Sequence, residues 1–180
     1  MTRKIWPLLP ALILGTAVLA ARAQDMPADM KMQEMPAHKA VLPTGPLKVT
    51  YAGKSAEWTA ATLAPLPHVT VTVYNEHAKV NQTYSGVLLA DLLKPLGVPA
   101  SPHGKDFKLF LVASGADGYQ VVYSLGEVLP DVHDGTVLVA DTLNGKPIAD
   151  SGPLQMVLTG EKRPARWVRN LATIDVRSIE

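Results

Sequence analysis

Short segments in which apolar and polar residues alternate predominate from Pro46 to the end of the chain. Residues 69–74 alternate between valine and threonine, which is typical of a strand with one buried face. Residues 107–113 form an apolar run that predicts a central strand, and Asp117-Gly118 is a favoured hairpin turn that would pair it with residues 120–123. Further strands are predicted at residues 47–51, 136–140, 154–158 and 171–176, with a turn at Asn144-Gly145.

The predicted helices are short and lie between these strands. Residues 59–66 begin with a threonine suited to capping and stop at Pro67. Residues 87–96 place four leucines on one face and end at Gly97, and one or two turns are predicted between residues 124 and 129. Strands with interspersed short helices and hairpin-length links predict a mixed α+β domain built on a mostly antiparallel sheet.

The first 23 residues match the pattern of a secretory signal peptide. Arg3 and Lys4 give a positive start, an apolar run follows, and Ala21-Arg22-Ala23 has the small-x-small pattern of a cleavage site. A retained membrane anchor is the alternative, but the run is short for a span of about 20 residues. We therefore expect cleavage before Gln24, a periplasmic or secreted protein, and no membrane attachment after cleavage.

Residues 24–45 are predicted to be a disordered leader, because they contain several prolines, few aliphatic residues and no periodicity. The folded domain is accordingly expected at residues 46–180. Thioether ligands suit Cu(I), so weak copper binding is one interpretation of this methionine-rich leader. The other interpretation is a flexible tether, in which the methionines have no specific role. The candidate ligands are Met26, Met30, Met32, Met35 and His38.

Charge and composition exclude some functions. Lysine and arginine number 17 and acidic residues 16, and three of the basic residues lie in the predicted signal, so the mature chain would be slightly acidic. Nucleic-acid binding, which needs a basic surface, is not expected. The chain contains no cysteine and hence no disulfide, and it has none of the short motifs of serine hydrolases, zinc peptidases or phosphate-loop proteins.

A basic loop near the C-terminus is the first candidate binding site. Arginine side chains bind phosphate and carboxylate in bidentate fashion. Gly160 and Pro164 favour an irregular loop, and Trp167 could anchor it in the core. A solvated charged loop is the alternative interpretation. The basic residues are Lys162, Arg163, Arg166 and Arg169.

The Ala116-Asp117-Gly118-Tyr119 segment is the second candidate. Turn chemistry alone explains it, because aspartate and glycine are favoured turn residues.

Three segments carry a resemblance to a known family. They are Tyr84-Ser-Gly-Val-Leu-Leu-Ala-Asp-Leu-Leu93, Gly115-Ala-Asp-Gly-Tyr119 and Gly160-Glu-Lys-Arg-Pro-Ala-Arg-Trp-Val168. Together they resemble the molybdopterin-binding domain of the sulfite oxidase family. The resemblance implies an α+β fold and a molybdopterin cofactor. It also implies that Arg166, the basic residue before Trp167, faces the pterin phosphate with Lys162 and Arg163 near it, and that Asp117 and Tyr119 line the same pocket.

The resemblance also implies a cysteine that holds molybdenum, and this chain has none. The equivalent position is expected within residues 74–77, where Glu76 and His77 could ligate a metal in principle, although a histidine in a hairpin turn is usually only solvated. The favoured function is a non-catalytic module that binds a small anionic ligand or a redox partner protein. The alternative is a molybdopterin-dependent oxidoreductase, or a subunit of a redox complex, that binds the cofactor without a protein thiolate.

Overall fold

Two five-stranded sheets form the scaffold of the residues that the computed structural model describes, which are 45–76 and 78–180. In the first sheet the strand order is β2-β1-β10-β5-β6, and only β1 and β10 run parallel. Its strands are β1 (Leu47–Tyr51), β2 (Lys54–Trp58), β5 (Leu109–Gly115), β6 (Gln120–Ser124) and β10 (Leu171–Ser178).

The second sheet is antiparallel throughout, with the order β3-β4-β7-β8 and with β9 also paired to β7. Its long hairpin, β3 with β4, is joined to β7, and the short strands β8 and β9 complete it. The strands are β3 (His68–Asn75), β4 (Val80–Leu88), β7 (Val137–Leu143), β8 (Lys146–Pro147) and β9 (Gln155–Leu158).

Helices are short, as the sequence predicts. They are α1 (Ala60–Leu63), α2 (Leu89–Leu93) and α3 (Leu125–Val128), with 3-10 turns at Lys94–Leu96, Gly104–Lys108 and Pro164–Arg166. Thr59 and Ser124 begin α1 and α3 with reciprocal capping boxes, in which side chain and backbone satisfy each other. Within the described ranges, no helix has the length and apolar character needed to cross a membrane.

The main core lies where the apolar faces of the two sheets meet α2. Leu111 and Ile174 come from the first sheet, Val139 and Met156 from the second, and Leu92 from α2, and none is measurably exposed. A smaller cluster of Tyr84, Ala140, Ile148 and Val157 lies beside it, and Trp167 packs against both. The α+β fold with mostly antiparallel sheets is therefore confirmed.

The segment around Gly86 differs from its predicted role. The helix predicted at residues 87–96 begins only at Leu89, because Val80–Leu88 is a strand. A Cβ atom built on Gly86 would lie 2.2 Å from the carbonyl oxygen of Val139, so glycine allows β4 to approach β7 closely at an irregularity in their register.

The strand predicted at residues 107–113 also begins later than expected. Gly104–Lys108 forms a 3-10 turn and Phe107 is half exposed, so the buried strand starts at Leu109. The predicted hairpin is present, because β5 and β6 pair across Asp117-Gly118, and the predicted Asn144-Gly145 turn joins β7 to β8.

Candidate functional site

The residues of the basic loop are held against β9 and β4 by Trp167. The indole N–H donates a hydrogen bond to the carbonyl oxygen of Leu158 at 2.9 Å, and the ring meets Tyr84 edge-on. Backbone hydrogen bonds fix the loop on both sides of Trp167. The Trp167 N–H donates to the Pro164 carbonyl oxygen, and the Met156 N–H donates to the Val168 carbonyl oxygen. The C-terminal part of the loop, from Pro164 to Val168, is therefore anchored to the core of the fold.

A cavity of about 270 Å³ lies between this loop and the end of the β3–β4 hairpin. Tyr84 and Trp167 form an aromatic wall of the cavity. The ends of β3 and β4 line one side of the cavity, and the basic loop lines the opposite side. The remaining lining residues are Val73, Tyr74, Asn75, Glu76, Gln82, Leu158, Gly160, Glu161, Lys162, Pro164 and Arg169.

Hydrogen bonds order the polar side of the cavity. The Asn75 amide donates to the Gln82 Oε1 atom at 2.8 Å, and the Tyr84 hydroxyl donates to the same oxygen at 3.2 Å. Burial raises the pKa of the Tyr84 phenol, and the positive charge of Arg169 only partly offsets this effect. Tyr84 therefore stays neutral at physiological pH.

The cavity carries an excess of positive charge once its ion pairs are considered. Glu76 is paired with Lys79 at 3.0 Å, and Glu161 is paired with Arg166 at 3.2 Å. Lys162 and Arg169 form no salt bridge with any carboxylate in the described part of the chain. Two exposed cations therefore face the cavity, and both of its carboxylates have other basic partners. Arg166 is shared between Glu161 and Glu127, so the four basic side chains around the cavity exceed the three carboxylates by one positive charge.

The side chain of Arg166 contacts α3 and β6. Its guanidinium lies over the Tyr123 ring, 4.7 Å from the centroid, and donates to Glu127 at 2.8 Å as well as pairing with Glu161. It lines a smaller cavity of about 140 Å³ with both carboxylates. In this structure Arg166 connects the loop to α3 and does not line the larger cavity.

The same contacts shift the pKa values of this pair. Burial alone would lower the pKa of Arg166, but Glu127 and Glu161 outweigh it and raise the pKa above its ordinary value. Burial alone would raise the pKa of Glu127, but hydrogen bonds from Ser124 and Arg166 hold it below its ordinary value. Both groups therefore remain charged across the physiological range.

The other predicted site residues divide between the loop and the hairpin turn. Lys162 lines the larger cavity, whereas Arg163 is exposed on the loop outside it. Asp117 accepts the Tyr119 N–H at 3.0 Å and shapes the turn, and the Tyr119 hydroxyl donates to the Ala165 carbonyl. The turn and the loop are thus in contact, but neither Asp117 nor Tyr119 lines the larger cavity.

The region expected to replace the missing cysteine does lie at the cavity. Tyr74, Asn75 and Glu76 form its hairpin side, facing the basic loop. His77 lies outside the described residues, as do the candidate copper ligands Met26, Met30, Met32, Met35 and His38, the predicted signal peptide and nearly all of the leader. Among the residues described, no cluster of three or more histidine and acidic side chains could hold a metal ion.

The hydrogen-bonded lining residues Asn75, Gln82 and Tyr84 were not selected from the sequence as site candidates. Gln82 and Tyr84 were missed because residues 80–86 have few apolar positions and show no strand pattern. Asn75 could be located only as part of the expected cysteine region. Arg169 was recognised as part of the basic loop but not as a cavity residue, since its orientation depends on the packing of Trp167.

Comparison with known proteins assigns the domain to a family. The family of the oxidoreductase molybdopterin-binding domain matches residues 30–180, which is most of the chain, and the protein belongs to this family. No curated protein shows significant similarity to the chain.

Proposed function

We propose that this protein is an exported, non-catalytic member of the family whose cavity binds a small ligand bearing phosphate or carboxylate groups. The observation that carries the proposal is the pair of cations, Lys162 and Arg169, on a cavity whose carboxylates are already paired. The predicted signal peptide supports a periplasmic or secreted location.

The family suggests molybdopterin as the natural ligand, and the cavity residues fit its organic part. Lys162 and Arg169 suit a phosphate group, and the flat side chains of Tyr84 and Trp167 suit a ring system. The amides of Asn75 and Gln82 add donors and acceptors. Molybdenum carried by such a cofactor would supply oxygen-atom transfer when bound.

The residues do not fit the metal-anchoring half of a catalytic site. The chain has no cysteine to provide a thiolate, and Glu76 at the corresponding end of the hairpin is paired with Lys79. The chain's own residues can bind an anion, orient a ring and exclude water from one side of it. No residue at the cavity can supply the soft sulfur ligand that molybdenum has in catalytic relatives.

Binding of inorganic pyrophosphate tests the proposal, because any molecule that binds only the native state raises the melting temperature. The wild-type protein should gain several degrees in saturating pyrophosphate. Lys162→Gln and Arg169→Gln should each lose most of this gain, whereas the control Arg163→Gln, on the same loop but outside the cavity, should retain it. No gain in the wild type, or an equal loss in all three variants, would reject the site.

Family membership favours a second candidate, an oxidoreductase or redox-complex subunit that holds molybdopterin without a protein thiolate. The two functions differ in metal content, because the second requires molybdenum in the protein isolated from its native compartment. They also differ in partner, since a redox subunit would co-purify with an electron carrier.

A further inference from the structure

Strand β3 lies at the open edge of the second sheet. It is eight residues long and pairs with β4 on one side only. The edge strands β2 and β6 of the first sheet are five residues each, and β2 carries Lys54 and Glu57. Short length and charge protect an edge against pairing with another chain. Apart from His68 at its start, β3 has neither charge nor proline, so it is the least protected of these three edges.

The direction of the backbone groups of β3 follows from its neighbour. On β4 the Thr83 N–H donates to Asn144 Oδ1, and the Thr83 carbonyl accepts from the Asn144 N–H, so both backbone groups point away from β3. Thr72 lies opposite Thr83 and must form a non-hydrogen-bonded pair with it. The backbone groups of Thr72 therefore point outward, and by alternation so do those of His68, Thr70 and Tyr74.

We propose that β3 pairs antiparallel with β3 of a second copy of this chain, about a two-fold axis at Val71. In this register Thr70 faces Thr72 of the other copy, and His68 faces Tyr74. The backbone groups of all four residues point away from β4. In this register each of these N–H and carbonyl groups gains a hydrogen-bond partner on the second copy. A shift of the axis to a neighbouring outward residue would leave some of these groups unpaired.

The side chains of β3 are equally self-complementary in this register. On one face threonine meets threonine, and on the other Val69 meets Val73 of the second copy, extending the small cluster against which Val71 and Val73 pack. Tyr74, which is 54% exposed in the single chain, would gain a cross-strand contact with the histidine of the other copy. An isologous interface requires this reciprocity.

The pairing would also bring the cavity of each copy close to the other copy. Tyr74 lines the larger cavity, so His68 of the second copy would lie at its rim. Two cavities would then share one continuous sheet.

Sedimentation velocity on the full protein over a range of concentrations tests the proposal. The wild type should form a dimer. The double variant T70K/T72K places lysine opposite lysine twice and should raise the dissociation constant by more than about tenfold. Ser55→Lys, on the exposed edge strand β2, adds charge elsewhere and should leave the dimer unchanged.

A mixing experiment separates loss of pairing from loss of folding. T70E/T72E should also be monomeric alone, but an equimolar mixture of the lysine and glutamate variants should restore the dimer, since every lysine would then face a glutamate. Amide hydrogen exchange adds a site-specific measure: the outward N–H groups of Thr70 and Thr72 should be protected in the wild type and exchange quickly in T70K/T72K.

Three results would overturn the proposal. They are a monomeric wild type at all accessible concentrations, a dimer that T70K/T72K does not weaken, and fast exchange of the Thr70 and Thr72 amides in the wild-type dimer. If the full protein is a monomer and dimerises only after deletion of residues 24–44, the chain's own leader occupies the edge of β3 in the full protein. That result would also reject the pairing.

Discussion

The ring of Trp167 meets the ring of Tyr84 edge-on, with centroids 5.4 Å apart and an interplanar angle of 88°. This pair joins the basic loop to the β3–β4 hairpin and forms the aromatic wall of the cavity. Such edge-to-face pairs add stability beyond the burial of apolar area. One contact therefore supports both the fold of the loop and the shape of the candidate site.

Replacement of Trp167 by alanine should reduce the free energy of unfolding by about 3 kcal/mol, the lower end of the range for large aromatic residues, because the indole is only half-buried. The loss includes the hydrogen bond to Leu158. Urea denaturation measures it. Arg163→Ala on the same loop is the control and should change stability by less than about 0.5 kcal/mol. Similar losses in both variants would show that Trp167 does not anchor the loop.

The Arg166–Glu127 pair should contribute modestly to stability. Both side chains are more than one-third exposed, so a double-mutant cycle of Arg166→Gln and Glu127→Gln should give a coupling free energy of about 0.5–1 kcal/mol. Because the pKa of Glu127 is lowered in the folded state, this contribution is present above the ordinary glutamate pKa and is lost as pH falls through the folded pKa. A coupling that persists unchanged after acidification would contradict the assignment.

His68 should give the opposite pH dependence. Its Nε2 atom lies 3.1 Å from Asp141 Oδ2, and its Nδ1 atom lies 2.7 Å from the Leu66 carbonyl, so two acceptors favour the doubly protonated ring. The hydrogen bond with Asp141, followed by that with Leu66, raises the pKa of His68 above 6.5. The stability gained is therefore complete below pH 6.5 and is lost as pH rises through the folded pKa.

His68→Asn should remove this dependence and cost about 1 kcal/mol at acidic pH, in line with a hydrogen bond to a charged group. Thermal unfolding of both proteins between acidic and mildly alkaline pH measures the difference. The two curves should converge at alkaline pH. Parallel curves over the whole range would mean that folding does not raise the pKa of His68.

Gly86→Ala should destabilise the fold strongly, by about 3 kcal/mol or more, because the new methyl group would meet the backbone of Val139 and Ala140 and not a flexible side chain. Gly45→Ala is the matched control, since a Cβ there meets nothing within 4 Å and the backbone does not require glycine. Chemical denaturation of both variants checks the expectation. A fully stable Gly86→Ala protein would require β4 and β7 to lie further apart.

The sequence predicted those parts of the fold that depend on local pattern. The valine–threonine alternation of β3 and the turn at Asp117-Gly118 each identified an element correctly. The strand Val80–Leu88 was missed because its early residues are polar, and its pairing with β3 and β7 stabilises it instead. Tertiary pairing of this kind leaves no local signal.

The candidate site, too, could be predicted only where it depends on local sequence. A basic loop can be recognised from its composition, and Lys162 does reach the cavity. The orientation of Arg166 depends on Glu127, 39 residues earlier in the chain, and on the face of Tyr123. No local pattern relates these residues. The predicted role of Arg166 at the cofactor therefore rested on the resemblance alone.

The central proposal is that the cavity binds an anion without the cysteine anchor for molybdenum that the resemblance implies. Elemental analysis of phosphorus and molybdenum, by mass spectrometry of protein purified from its native compartment, tests both halves of this claim together. The account predicts molybdenum far below stoichiometric, together with bound phosphorus when the ligand carries phosphate and not only carboxylate. Stoichiometric molybdenum would contradict it and favour the oxidoreductase.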